Sequence, residues 1–418
     1  MSMTNKDFRA RARIGTQLAV AAAAAALLSA PEVRAQTVYN VAGIADFTGP
    51  YADVMKDLAG CRKTVFDWWN EEVGKPAGVA LRIKDFDGRY DVAQISSLWP
   101  GMKSELNPVA ALGLGGPDVA ALAQRLPGDK VPLINATAGY GFAWKPDSWA
   151  FNARPTYPHE VAAFYTWLQQ QRGGNAPLKI AVISSEVSPA YVDIHKGTQQ
   201  FAKDNPKILE IVETVYTEAQ PTDLTQQVNR VLRKDAQVLQ VLNNTASVVA
   251  VRRALQALGK TDIPILVSAH NSLPASGKAI GDLNQMEGSF EVYGLAVPSD
   301  DATPARAFFD KLRTGYKLQA GFTTPCVMGM AQGLLTVRAF EAAAKAKGGK
   351  GVTGADVRDA LLSQSFPSES FFGVLPAMKF GTDAPFPTQG NSVNIGTVEK
   401  GKYRLKQASV PVPAVNKW

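Results

Sequence analysis

The sequence predicts an α/β protein built from two doubly wound lobes, and three observations carry that reading. Short apolar runs alternate with amphipathic stretches from Tyr39 to Asn135. Turn-forming residues, Gly139-Tyr-Gly141 and Lys145-Pro-Asp147, then break the alternation. The same alternation restarts at Leu178 and runs to Ser268. Strands that alternate with helices specify a parallel sheet covered on both faces. Two such series specify two sheets.

Residues 1–35 stand outside this pattern. Lys6, Arg9, Arg11 and Arg13 face only Asp7, an alanine-dominated run follows from Leu18 to Leu28, and Val33-Arg34-Ala35 closes the segment. A basic start, a short apolar run and a small-residue site form a Sec signal peptide. Cleavage after Ala35 is expected to leave Gln36 first. The competing reading, a membrane anchor, needs about 20 apolar residues, more than the run supplies. No Cys follows the run, which argues against a lipid anchor. The chain carries a formal charge of +7, and the leader's five basic and two acidic residues account for +3 of it. The remaining +4 over residues 36–418 implies neither nucleic-acid nor membrane-surface binding.

The first series reads as strand Tyr39–Asp46, helix Asp53–Glu72, strand Val79–Phe86, helix Val92–Leu106 and strand Val109–Leu114. A helix after Pro117 and the strand Val131–Asn135 follow, and Ser148–Ala153 is strand-like. In the first helix Leu58, Cys61, Val65 and Trp68/Trp69 recur at near-helical spacing. The second series reads as strand Leu178–Ser184, helix Pro189–Asp204, strand Ile208–Tyr216, helix Leu224–Arg233, strand Val238–Leu242, helix Ser247–Leu258 and strand Ile263–Ser268. Beyond Gly294 the pattern turns helical, with Pro304–Tyr316, Pro325–Ala346 and Val352–Leu362, the last with Thr353 as N-cap. From Phe371 the tail is rich in Gly, Pro and short β-like runs.

Catalytic signatures are missing. The sequence has no GxSxG, HExxH, P-loop or CxxC motif, and its three histidines, His159, His195 and His270, lack metal-ligand spacing. Gly113-Leu-Gly-Gly116 sits where a phosphate loop would be, but Asp118 departs from GxGxxG, so a tight strand-to-helix turn is the favoured reading. Asp85/Asp87 and Glu71/Glu72 read as solvated charges. What recurs is a polar or aromatic residue just past a strand's carboxyl end: Phe47-Thr48-Gly-Pro-Tyr51, Gly115-Gly-Pro-Asp118, Ala136-Thr137-Ala-Gly-Tyr140, Tyr191, Asn243-Asn244-Thr245 and His270-Asn271. A loop-borne Tyr alone is as readily a packed surface ring. Six such loops point to a cleft between lobes, where helix N-termini also offer N–H groups to a carboxylate. Cys61 and Cys326 enter an oxidising compartment, where a disulfide and two separately buried thiols are both compatible with the sequence.

Several segments together resemble the type I periplasmic binding proteins of the branched-chain amino acid (leucine/isoleucine/valine) transport family. They are Gly43-Ile-Ala-Asp-Phe-Thr-Gly-Pro-Tyr51, Ala59-Gly-Cys61 with Asn70-Glu71, Ile83-Lys-Asp-Phe-Asp87, Val109–Gly116 with Val131-Pro-Leu-Ile-Asn-Ala-Thr137, Ile180-Ala-Val-Ile183 with Ala190-Tyr191, and the helix Pro325–Ala346. Their order and spacing, more than any one of them, carry the likeness over nearly all of residues 36–418. The resemblance implies two Rossmann-like lobes joined by a three-strand hinge, with residues 36–154 plus 296–384 in lobe 1 and 155–295 plus 385–418 in lobe 2. It implies a monomeric periplasmic receptor that closes on a small-molecule solute and delivers it to the membrane permease of an ABC importer, with no enzymatic activity, cofactor or metal. The solute contacts it implies are Tyr51, Asp118, Thr137, Tyr140, Tyr191, Asn244 and His270. It also places Cys61 and Cys326 near each other, on the first and late helices of lobe 1.

Two departures stand out. Family members that hold an α-amino acid carry serines where this chain has Pro117-Asp118, and an acidic residue where it has Ala269-His270. Asp118 then either meets the ammonium group or the solute is not an amino acid. An aromatic acid, an amide or a urea-like solute is the alternative, as is a sensor role in a signalling system. Trp144 and Trp149 fit either a planar solute or simple packing between lobes.

Overall fold

The computed structural model describes residues 36–137, 147–218, 220–381, 386–389 and 391–418. The first series forms β1 (Thr37–Ala45), α1 (Ala52–Trp69) running into a π-helical turn at Asn70–Gly74, β2 (Val79–Asp87), α2 (Val92–Leu106), β3 (Ala110–Gly113), α3 (Gly116–Leu122), α4 (Leu126–Asp129), β4 (Leu133–Asn135) and β5 (Ala150–Asn152). They build one sheet of order β2-β1-β3-β4-β5. Strands β1, β3, β4 and β5 are parallel neighbours. Predicted ends moved by only a few residues, because caps rather than periodicity set them. The Asp91 carboxylate accepts from Gln94 N–H to open α2, and Asn107 closes it with φ 43°.

The second series forms α5 (Tyr157–Arg172), β6 (Leu178–Ser184), α6 (Pro189–Asp204), β7 (Leu209–Tyr216), α7 (Thr225–Leu232), β8 (Val238–Val241), α8 (Thr245–Ala257), β9 (Ile265–Val267), α9 (Leu273–Ile280) and β10 (Phe290–Tyr293). Helices α5 and α9 and strand β10 were not predicted. Helix α5 shows why: Tyr157 to Tyr165 are all buried, so it has no polar face to give a helical period. The chain then forms α10 (Pro304–Gly315), α11 (Thr324–Ala346), α12 (Gly354–Ser363), β11 (Ser365–Phe366), β12 (Met378–Phe380), β13 (Pro387–Gln389), β14 (Ser392–Glu399) and β15 (Lys402–Pro411). Thr353 caps α12 as predicted, accepting from Asp356 N–H. The β-like tail completes the second sheet, whose order is β15-β14-β10-β9-β8-β6-β7. Strands β6 to β10 pair in parallel, while β14 and β15 are antiparallel. Strands β11 to β13 make a small antiparallel sheet, and Phe380 meets Phe151 of β5 edge-on at 5.5 Å. The chain passes between the two large sheets three times, after β5, after β10 and before β14.

Helix α11 is the spine behind the first sheet, and it packs on α1. A Cβ at Gly329 would strike the Leu58 carbonyl, and one at Gly333 would lie 3.0 Å from Val65 Cβ. The glycines therefore permit the close approach. Cys61 of α1 and Cys326 of α11 form a disulfide, with Cα atoms 5.2 Å apart. Beside it Arg62, wholly buried, donates to Asp85 at 2.5 Å and to Gln332 Oε1 at 3.2 Å. Gln332 in turn donates to the Gly113 and Ile134 carbonyls at 2.8 and 2.7 Å. This network ties α1, α11 and the ends of β3 and β4 into one rigid unit.

Candidate functional site

In open parallel sheets the strands end in loops that the sheet itself does not cover, and ligands bind there. Past β1, the Asp46 carboxylate accepts from Gly49 N–H at 2.6 Å and Tyr51 N–H at 2.8 Å. Asp87 accepts from Phe47 N–H at 2.9 Å and the Thr48 hydroxyl at 2.6 Å. Two carboxylates thus fold the loop and leave Tyr51 to reach outward. Its ring meets Tyr90 edge-on at 4.7 Å. Its hydroxyl hydrogen-bonds to Tyr191, and burial pushes its pKa up.

Tyr191 comes from the second sheet. Ser188 caps α6 by accepting from Ala190 N–H, and the first turn then carries Tyr191, 5% exposed, toward Tyr51. Its ring meets His270 edge-on at 5.3 Å. His270, just past β9, lies 4.5 Å from the Tyr157 ring. Burial, reinforced by the charge of Arg154 and opposed by a hydrogen bond to the Leu242 backbone, lowers its pKa to about 4. The imidazole is neutral near pH 7. Loops of both sheets therefore meet in one chain of rings: Tyr90, Tyr51, Tyr191, His270 and Tyr157.

The other predicted residues lie elsewhere. The Asp118 carboxylate, 1% exposed, accepts from Leu114 N–H at 3.0 Å and Gly115 N–H at 2.7 Å. Burial pushes its pKa up to about 7, against the pull of those two bonds and of Arg62. It organises its own turn, as the strand-to-helix reading has it. Thr137 packs at the same turn, its hydroxyl donating to the Leu114 carbonyl at 2.9 Å. Asn244 uses its side-chain oxygen to cap α8, accepting from Ser247 N–H at 3.0 Å. Tyr140 and Trp144 lie outside the described residues. Trp149 has the Arg358 guanidinium 4.8 Å above its ring, which accounts for it as packing.

Two residues at the strand ends, Arg154 and Tyr157, were not anticipated, and Asn243 was noted only as part of its loop. Asn243 is 1% exposed, and neither its Oδ1 nor its Nδ2 has a partner among the described residues. Arg154 and Tyr157 follow β5 on the first passage between sheets. Arg154, wholly buried, pairs through Nη1 with Glu160 Oε1, which also accepts from Gly294 N–H at 2.6 Å on the second passage. Its guanidinium lies 4.8 Å above the Tyr157 ring. The only sequence signal was a charged residue before Pro155, just past the strand-like segment Ser148–Ala153. Among the described residues, no group of three or more His, Cys, Asp or Glu could hold a metal ion.

Two doubly wound sheets, joined by three passages and meeting through the loops at their carboxyl ends, define the solute-binding class of two-lobed α/β proteins. The chain belongs to the periplasmic binding protein family, whose sequence profile matches residues 38–401. A search of curated proteins finds no match. Among solved structures, the chain is similar to an ABC transporter substrate-binding protein from Aeropyrum pernix, with TM-score 0.74 and 18% identity over 90% of this chain and 97% of that one. It is also similar to a branched-chain amino acid ABC transporter protein from Thermus thermophilus with bound valine, with TM-score 0.72 and 16% identity over 89% and 96%. A fatty acid ABC transporter substrate-binding protein from Thermomonospora curvata gives TM-score 0.72 and 20% identity over 90% and 95%. At these identities the likeness establishes the fold, and the resemblance read from the sequence agrees with it.

Proposed function

We propose that this chain is the solute-capturing component of an ABC importer, exported to the periplasm with cleavage after Ala35, and that it has no catalytic role. Residues 36–154 with 296–384 form one lobe and 155–295 with 385–418 the other. The lobes close on the solute, and the closed form docks on a permease. One observation carries the reading: Tyr51, on a loop of the first sheet, hydrogen-bonds to Tyr191, on a helix of the second, beside His270. A solute seated where residues of both lobes meet touches both only in the closed state, and that differential affinity is what shifts an open–closed equilibrium. The structural neighbours support the role, being substrate-binding proteins of ABC transporters for solutes as different as valine and a fatty acid.

The test uses protein recovered from the periplasm, with Gln36 as its first residue. A thermal-shift panel of amino acids, aromatic acids and amides identifies a solute, since saturation at 100 times Kd adds about 2.7 kcal/mol. Calorimetric titration of Tyr191→Ala with that solute, at a temperature where the variant is folded, should then show a loss of about 2 kcal/mol or more. Wild-type affinity in the variant would remove Tyr191 from the site.

A further inference from the structure

We infer that Arg154 is a carboxylate-recognition residue of the capture site, so that the solute is an organic acid whose carboxylate lies against the free edge of its guanidinium and whose body lies among the tyrosine rings. The inference rests on the capture reading and adds the chemical class of the solute. A guanidinium offers N–H donors on two usable edges, and the edge formed by Nε and Nη2 matches the two oxygens of a carboxylate. In this protein the Nη1 side is occupied by Glu160. The Tyr157 hydroxyl acts on the same guanidinium, but neither Nε nor Nη2, both buried, has an acceptor at hydrogen-bonding distance and angle among the described residues. Buried donors are rarely left in that condition, because each costs about 1–3 kcal/mol of desolvation. Arg154 is wholly buried, so bulk water does not repay that cost.

Position makes the free edge meaningful. Arg154 is two residues past β5, on the passage between the sheets, and its charge acts on His270. Glu160 and the Gly294 N–H fix its far side, while Tyr157 lies beneath the guanidinium plane at 4.8 Å. The head group is thereby held in one orientation before any solute arrives, which lowers the entropic cost of binding. His270 Nδ1, on the ring that feels the Arg154 charge, is also buried without a partner among the described residues. It supplies neutral hydrogen bonding, and Tyr51, Tyr191 and Tyr157 supply apolar ring surface. The strand-end carboxylates are already engaged: Asp46 and Asp118 accept hydrogen bonds from their own turns, and Asp87 from the loop after β1.

Matched pairs test the assignment. Benzoate, 3-phenylpropanoate, 4-methylpentanoate, L-phenylalanine and L-leucine are each titrated beside the corresponding primary amide, on the wild type and on Arg154→Lys and Arg154→Gln. Lysine keeps the charge and the pairing with Glu160 but loses the two-pronged edge, so it guards against a variant that fails to fold. At least one acid should bind about tenfold more tightly than its amide, and both variants should lower that acid's affinity by about tenfold or more while leaving the amide nearly unaffected. An amide that binds as tightly as its acid, an acid whose affinity survives in Arg154→Lys, or a panel in which no acid binds would each overturn the assignment. A probe that loses affinity in Tyr191→Ala but not in the Arg154 variants would keep the capture site and remove only the carboxylate. Loss in neither would remove the site itself.

Discussion

Replacing Cys61 and Cys326 together by alanine should lower the melting temperature by about 7 °C. The bond joins residues 265 positions apart. Closing so long a loop removes much of the freedom of the unfolded chain, and the chain-entropy relation gives about 5.6 kcal/mol at 25 °C. Both side chains are buried between α1 and α11, so alanine leaves only a small void. Unfolding entropy of about 2.1 cal/mol/K per residue, over roughly 380 residues, comes to about 0.8 kcal/mol/K, which converts that loss into the stated shift. Circular dichroism melts of wild type, variant and reduced wild type provide the assay, with the last two expected to coincide. A variant that melts within about 1 °C of the oxidised wild type would refute the loop-entropy argument. Two reactive thiols in denatured, unreduced wild type would refute the bond.

Two further outcomes follow from buried groups and close packing. Burial pushes the pKa of Glu291 up to about 8, against a hydrogen bond from Leu273 N–H. The folded state thus holds a proton there that the unfolded state has released, and stability falls as pH rises from about 4.5 to about 8. His159 and His270, lowered to about 4, act in the opposite sense, and stability is lost as pH falls from about 6.5 toward 4. The two effects oppose each other below about pH 6.5, so Glu291 is read above pH 7, where Glu291→Gln should flatten the fall in melting temperature; an unchanged slope there in that variant would contradict the assignment. Gly329→Ala should destabilise by about 1–3 kcal/mol, because the new methyl meets the Leu58 carbonyl, and denaturant melts read this directly. A neutral result would mean that α11 shifts away from α1 without cost.

The fold was legible where burial is one-sided. Helix α2 and most strands of both sheets keep an apolar stripe or a short apolar run bounded by turn residues, and these were read to within a few residues. Helix α5 failed for the opposite reason. Its first nine residues are buried on every side, including His159 and Glu160, so polar residues sit inside and periodicity vanishes. Strand β10 is only four residues long, and its pairing with β9 and β14 is supplied by segments more than twenty and one hundred residues away. No local pattern encodes such partners.

The candidate site was legible to the extent that strand ends reveal it. Tyr51, Tyr191 and His270 were found because each follows a recognisable strand, and they are the residues that meet. Asp118 shows the limit of that rule. A carboxylate in a strand-to-helix turn is as suited to the turn's own N–H groups as to a solute, and only the bonds from Leu114 and Gly115 decide between them. Arg154 shows a different limit. From sequence it is a basic residue before a proline, the kind that is usually solvated. Its burial depends on Glu160, six residues on, and on Gly294, brought back by the second passage between sheets. A charge is tolerated there because its partner neutralises it on one edge. The other edge retains its hydrogen-bonding capacity beside a neutral imidazole, so a solute carboxylate would meet donors without a competing carboxylate on that edge.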